Sequence, residues 1–569
     1  MVGPKLKKRE DKQYTITSRA KRLFQAVYFK QKKAEEGEKD EISRINVSAL
    51  ISKVAFVYEK IRNAVDYDEE HMLRKNAIER ILKRQIVIEG VLKASKSEEI
   101  SLHLLTELIR AGYLANDTVP ETKIKEIADL LEKYIKLKNY ALERVSTFSD
   151  INDNKKVVKN KVKERNKLVN WLISIAATEI EENLGKDLVQ DTVVENMYED
   201  LEKNIQASAD LDDKLRKDLR IQIYLSIYRK YVKYDDSMLT LILFRYYNRE
   251  WTESVLEDEK IMEISQKINA IKLAINKQLK HPLIKQIDKI TRKYAVFYSI
   301  MTEVVSSEPV KLFYELKNNS LAYYKQIKST YIKRYKTAKS KLWRSAWRSI
   351  VYIFFTKSIF VVLIEVPAIR WFGEELNYVS LFINIVFPAL LLFFMVLTTR
   401  KPSSKNLDKV VEGVQEISYE EYERQKPFKI KKPAKRKPVP NFIFNFIYFV
   451  TFLFSVYIIV ELLTLINFNW VSIVIFLFFL AFVSFFSVRI KKNIKELIVA
   501  ERKDNLADFL FDFFYMPIVA AGRWLSGKAS EVNIFIFIMD FIIEAPFKVF
   551  VEIAEDWTKY VKEKKEEIM

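Results

Sequence analysis

The 569-residue sequence contains no cysteine, and that single absence removes disulfides, thiolate metal sites and a cysteine nucleophile together. Histidine is nearly absent too. His71, His103 and His281 are the only three, and none is paired with another at the spacing of helical metal ligands. Before residue 340, glycine and proline are limited to Gly3, Gly37, Gly90, Gly112, Gly185, Pro4, Pro120, Pro282 and Pro309. No two of these glycines stand close enough to cradle a phosphate, which excludes a Walker-type nucleotide enzyme, and no GxSxG elbow is present. A chain so poor in helix breakers favours long, uninterrupted helices. The first forty residues also lack the apolar run of a signal peptide, so the chain up to about residue 340 is expected to stay in the cytosol.

Long apolar runs, by contrast, are plentiful. They read 350–369, 378–397, 442–466 and 470–488. Each is close to the ~20 residues that a helix needs to cross a hydrocarbon layer ~30 Å thick. An integral membrane protein is expected. Lysine and arginine crowd the segments KRYKTAKSKLWRSAWR, KPFKIKKPAKRKP and RIKKNIK, whereas the turns RWFGEELN and NFN carry only Arg370. Basic short loops stay inside during insertion, which places both turns outside and both termini in the cytoplasm, in a multi-pass plasma-membrane protein with two hairpins.

The expected fold class is all-α. A large cytoplasmic helical bundle or array (1–307) leads through a basic aromatic juxtamembrane helix (308–348) to hairpin 1 (349–398). A basic, proline-rich cytoplasmic loop (399–440), hairpin 2 (441–489) and C-terminal amphipathic interfacial helices (490–569) follow. In the first part apolar residues recur at helical spacing, as in Val47, Leu50, Ile51, Val54, Val57 and Ile61. This periodicity predicts helices over 97–113, 121–145, 155–183, 188–205, 212–234, 237–251, 260–279 and 283–305, with no β-alternation of useful length and no fixed-period repeat. Asp66, Asp68, Glu69, Glu70 and His71 read as an acidic helix start favoured by the helix dipole rather than a metal site, and no metal or cofactor is expected.

The net charge of +20 is concentrated beside the apolar runs. No nucleic-acid-binding motif accompanies it, so the expected partner is an anionic inner leaflet, with single-strand stacking as the alternative. Lys333, Arg334, Lys341, Arg344 and Arg348, interleaved with aromatics, are candidate headgroup contacts. So are Lys429, Lys431, Lys432, Lys435, Arg436 and Lys437, which lie among four prolines in an extended tether expected on the inner leaflet. The preceding stretch, 407–422, is expected to form a short helix.

Three polar residues share a depth near the outer ends of the spans: Glu365, Asn384 and Glu461. Ionisable groups in a bilayer seek a partner or water, so this layer is the candidate intramembrane site; the alternative is that each glutamate reaches the outer headgroups. Lys357 stands roughly 12 Å along the axis from Glu365 and is expected to snorkel inward, not to pair with it.

Two further apolar stretches, 506–525 and 533–557, carry a polar line of Asp504, Asp508 and Asp512, then Asp540, Glu544 and Lys548. Two aspartates in the middle of a short span would cost ~5 to 7 kcal/mol, which favours interfacial helices docked on the basic segments; six spans is the alternative. The expected function is a non-enzymatic membrane scaffold or adaptor that presents its helical domain to a protein partner. An oligomeric channel or transporter using the Glu365, Asn384 and Glu461 layer is the alternative, and a lipid enzyme ranks last for want of a catalytic constellation.

Overall fold

The computed structural model describes residues 14–36, 43–62, 69–88, 96–147, 155–253, 256–399, 403–433, 438–500 and 506–531, with six single positions beyond them. The described residues are almost entirely helical. In chain order the helices are α1 Ser18–Glu36, α2 Ala49–Arg62, α3 Glu70–Lys83, α4 Ser97–Arg110, α5 Thr122–Thr147, α6 Lys155–Leu184 and α7 Leu188–Asn204. Then come α8 Asp213–Lys217, α9 Leu219–Ile227, α10 Asp236–Tyr247, α11 Asp258–Leu279, α12 Ile284–Val305, α13 Pro309–Asn318 and α14 Ser320–Phe360. The rest are α15 Val366–Trp371, α16 Tyr378–Leu397, α17 Ser404–Ser418, α18 Pro438–Thr464, α19 Trp470–Ile490, α20 Lys492–Glu496 and α21 Leu506–Glu531. Two three-residue strands, β1 Ile205–Ala207 and β2 Phe428–Ile430, form a parallel pair.

The chain divides into two compact units, with the divisions falling inside α1 and α12. One unit comprises Gln25–Thr291 together with Lys426–Lys431. Its core is built on α5, α6, α10 and α11, whose apolar faces supply Leu131, Leu137, Ile175, Ile180, Leu243 and Ile275. Side-chain caps start its helices: Asp187 accepts from Val189 N at 3.0 Å and Asp235 from Met238 N at 2.8 Å. Gly112, with φ +77°, ends α4 in the left-handed conformation that lets Tyr113 N reach the Leu108 carbonyl at 2.9 Å. Several charged groups that are buried or half-buried here have partners. Arg74 forks onto Glu181 at 2.6 and 2.8 Å, Arg245 holds Glu182 at 2.6 Å, and Glu179 accepts from Trp251 Nε1 at 3.1 Å and from the Tyr134 hydroxyl. Burial, against the opposing charge of Arg245, holds the Glu182 carboxyl above the usual range.

The basic segment is extended, as repeated proline requires, and its residues 428–430 pair with 205–207, a strand pair that the sequence does not announce; Lys431 exchanges bonds of 2.9 and 3.2 Å with the Gln286 side chain. The backbone groups of this stretch thereby find a ladder partner.

The other unit comprises the residues up to Phe24, Arg292–Gln425, and Lys432 onward to α21. Four of its helices are long and apolar enough to cross a membrane: Ser320–Trp371, Tyr378–Leu397, Val439–Thr464 and Trp470–Ile490. At most 44% of any of these apolar windows is buried inside the chain, so most of their surface calls for an apolar solvent. α14 and α15 form one rod with a wide turn in it, about 75 Å long at 1.5 Å per residue. The N-terminal half of the rod packs on α17, which the sequence anticipates as a short helix. Gly413 of α17 lies so close to the Phe297 ring that a Cβ there would come within 2.2 Å.

A single buried side chain joins three segments of this unit. Asn406 donates to the Tyr331 hydroxyl (2.7 Å) and the Leu497 carbonyl (3.0 Å), and its Oδ1 accepts from Val499 N (2.7 Å) and Ala500 N (2.8 Å). All the hydrogen-bonding capacity of the amide is used, which makes it a rigid clamp. At the N-terminus, Thr17 N donates to the Ser418 carbonyl at 3.0 Å, and Glu420 N to the Thr15 carbonyl at 3.0 Å.

The C-terminal helix packs on other elements than the basic segments expected for it. Among the described residues α21 runs along α19 and α18. Ser455 donates to the Phe514 carbonyl at 3.3 Å, Tyr515 OH to the Ser484 carbonyl at 3.3 Å, and a Cβ on Gly522 would come within 1.9 Å of the Ala481 carbonyl oxygen. Small residues let the backbones approach closely. Asp508 and Asp512 fall in the first two turns of α21, at the end where Tyr515 meets Ser484 and Ser487 near the close of α19. Asp512 is exposed. Asp504, Asp540, Glu544 and Lys548 lie outside the described residues.

Candidate functional site

Proline shapes the site. Pro367 has no N–H to give the carbonyl four residues back, and its ring crowds that carbonyl, so the helix widens just before it into a π turn over Val361–Glu365. A π turn holds one extra residue. Positions eight apart across it therefore align as seven apart do in an α-helix, within about 20° of each other. Lys357 and Glu365 come onto one face and form an ion pair at 3.4 Å, with neither side chain exposed. The expectation that they stay apart assumes regular α-helix and is corrected by this turn.

The Glu365 carboxylate is shared among three helices. Oε1 accepts from Asn384 Nδ2 of α16 at 2.5 Å and from Ser472 Oγ of α19 at 2.8 Å, while Oε2 faces Lys357 Nζ. Asn384 Nδ2 also donates to the Ser472 carbonyl at 3.3 Å. One turn further along α16, Pro388 cannot donate to the Asn384 carbonyl, which loosens the helix at this depth. The Lys357 ammonium lies 4.1 Å from the centre of the Phe479 ring and 5.1 Å from that of Phe360, which supplies part of the solvation it lacks. Asn384 Oδ1 is buried without a donor.

The turns at the same end close over this knot. Asn377 caps α16 and reaches the Asn467 carbonyl at 3.1 Å; Asn469 caps α19 and reaches the Glu375 carbonyl at 3.2 Å. Phe372 and Trp470 meet edge to face with ring centres 4.8 Å apart.

Of the three residues expected at this depth, Glu365 and Asn384 come together and Glu461 does not. Glu461 is exposed on α18 and its side chain meets Tyr457. Lys357 and Ser472 complete the group in its place. The signal for Lys357 is Pro367, two residues past the glutamate; the signal for Ser472 is only its place in the first turn after the Asn469 cap. Chemically the group is a neutralised ion pair with hydrogen bonds, suited to holding helices in register or to exchanging a proton. Among the described residues no group of three His, Asp or Glu side chains is placed to hold a metal ion.

The basic candidates divide. Lys333, Lys341, Arg344 and Arg348 are exposed along α14, but Arg334 turns back to Ser299 Oγ at 2.5 Å and Glu303 at 3.5 Å. Lys429, Lys431 and Lys432 are exposed around β2, and Lys435, Arg436 and Lys437 lie outside the described residues. No protein-family model, curated protein or solved structure matches the chain. Function is therefore read from the site's own chemistry.

Proposed function

We propose that this protein is a multi-pass scaffold of the plasma membrane, with cytoplasmic termini, that presents its helical N-terminal part to a protein partner at an anionic inner leaflet. The observation that carries this reading is the continuous helical rod Ser320–Trp371, which joins exposed basic residues, an apolar stretch and the Lys357–Glu365 pair in one element. Asn406 supports it, because it fastens the segments before and after the last two of the four apolar helices onto that rod, and the Thr17–Ser418 contact ties the N-terminal segment to α17. Each exposed lysine or arginine near an anionic leaflet contributes about 1 kcal/mol of attraction. Affinity purification of the full chain from native membranes, followed by mass spectrometry, tests the reading. A stoichiometric partner is expected.

A second reading, an oligomeric channel or transporter, is favoured by one observation: an ionisable pair fully buried among apolar helices. Ion flux in proteoliposomes that Glu365→Gln abolishes would establish it and displace the scaffold.

A further inference from the structure

Where α19 leaves its apolar stretch the chain turns at once into α20, and this short turn is held in place on every side. Ile494 is buried against Leu342, Ala346, Val396 and Val483, Leu497 is buried as well, and the Asn406 clamp fixes Leu497, Val499 and Ala500. Lys495 N donates to the Lys491 carbonyl at 3.1 Å, so the two lysines stand one helical turn apart on the same face. Lys491 is half-buried and Lys495 exposed. Burial, reinforced by the Lys495 charge, pushes the Lys491 ammonium down to about 8. The charge acting on Lys491 is that of Lys495 and has its own sign. Two cations preorganised at the end of an apolar helix, with Phe486 and Ile490 packed just before them, lack only an anion whose remainder is apolar.

We propose that Lys491 and Lys495 form a binding site for the phosphodiester of an anionic phospholipid, its acyl chains lying along α19. The inference rests on α19 being a membrane helix, and it stands or falls separately from any protein partner, because its readout is bound lipid. The full chain is purified in detergent, titrated with phosphatidylglycerol or phosphatidylcholine, and bound lipid is counted by native mass spectrometry. Phosphatidylglycerol is expected to be retained in preference to phosphatidylcholine. The Lys491→Ala/Lys495→Ala variant should lose about thirtyfold in affinity, from two near-surface charges. Lys491→Arg/Lys495→Arg, which keeps the charges, should retain it, and that separates a lost site from a misfolded chain. Unchanged phosphatidylglycerol binding in the alanine variant overturns the site. Displacement of the lipid by millimolar inorganic phosphate overturns the lipid assignment in favour of a soluble anion. A zero-length crosslink in native membranes from either lysine to a carboxylate within 533–557 overturns it in favour of the chain's own acidic segment.

Discussion

Removing one member of the Lys357–Glu365 pair should cost far more than removing both. In Lys357→Met the carboxylate stays fully buried with Asn384 and Ser472 as its remaining donors, and its counter-charge is gone; breaking such a pair costs about 3 to 5 kcal/mol. Glu365→Gln leaves the ammonium with only the Phe479 and Phe360 rings and should cost a similar amount. In the double variant neither charge remains, the new amide oxygen at position 365 can still accept from Asn384 and Ser472, and the thioether at position 357 packs against the two rings. The double variant should therefore sit within about 1 to 2 kcal/mol of the wild type, giving a coupling energy of roughly 4 kcal/mol or more. Reversible unfolding of all four proteins in one lipid or detergent composition measures the cycle. Costs that simply add would show that the two groups do not sense each other and would refute the geometry. Glu461→Gln supplies the control, since that carboxylate lies outside the group and should be additive with Glu365→Gln.

Asn406→Ala should destabilise its unit by about 2 to 4 kcal/mol, because it orphans Val499 N and Ala500 N and leaves the buried Tyr331 hydroxyl only its 3.4 Å bond to the Leu497 carbonyl, and hydrogen exchange should rise first at 497–500. The cysteine-free background allows single-cysteine labelling of α21: the exposed Leu506→Cys should react with an impermeant maleimide in open membranes, while Val519→Cys, at a buried position, should resist it from both sides. Labelling at both positions would restore an interfacial helix. Burial pushes the His281 imidazole below its ordinary value near 6.5, with Asp218 opposing, and Leu283 N donates to its Nδ1 at 3.3 Å. Above that value folded and unfolded forms are both neutral and the stability is complete; below it the unfolded chain takes up a proton that the folded chain resists, and stability falls. Urea titrations at pH 7 and pH 5.5 should show a smaller acid loss in His281→Gln than in the wild type, and an equal loss would refute the assignment.

Local patterns in the sequence carried much of the architecture. Helical periodicity places α5, α6, α7, α11 and α12 within a few residues of their observed ends, and hydropathy does the same for three of the four apolar helices, because both depend on neighbours in the chain; the first apolar helix, expected from residue 350, begins at Ser320. What escaped depends on geometry that neighbours do not encode. Lys357 reaches Glu365 only through a turn that Pro367 widens. The strand pair joins two runs of three residues more than two hundred positions apart, too short to show alternation. The seat of α21 depends on Gly522 meeting Ala481, whereas its two aspartates, counted without knowing which end of the helix they occupy, point toward a surface. Depth alone put Glu461 beside Glu365; which way each helix faces decides otherwise.

The stitch between the amino terminus and the segment after α16 sets an order of events during synthesis. Thr17 bonds to a residue 400 positions later, which the ribosome delivers ~20 to 80 s afterwards at ~5 to 20 residues per second. By then the first two apolar helices have already been synthesised. Thr15 and Thr17 must wait unpaired through that interval, so this corner of the molecule can close only on a chain in which both of those helices already exist.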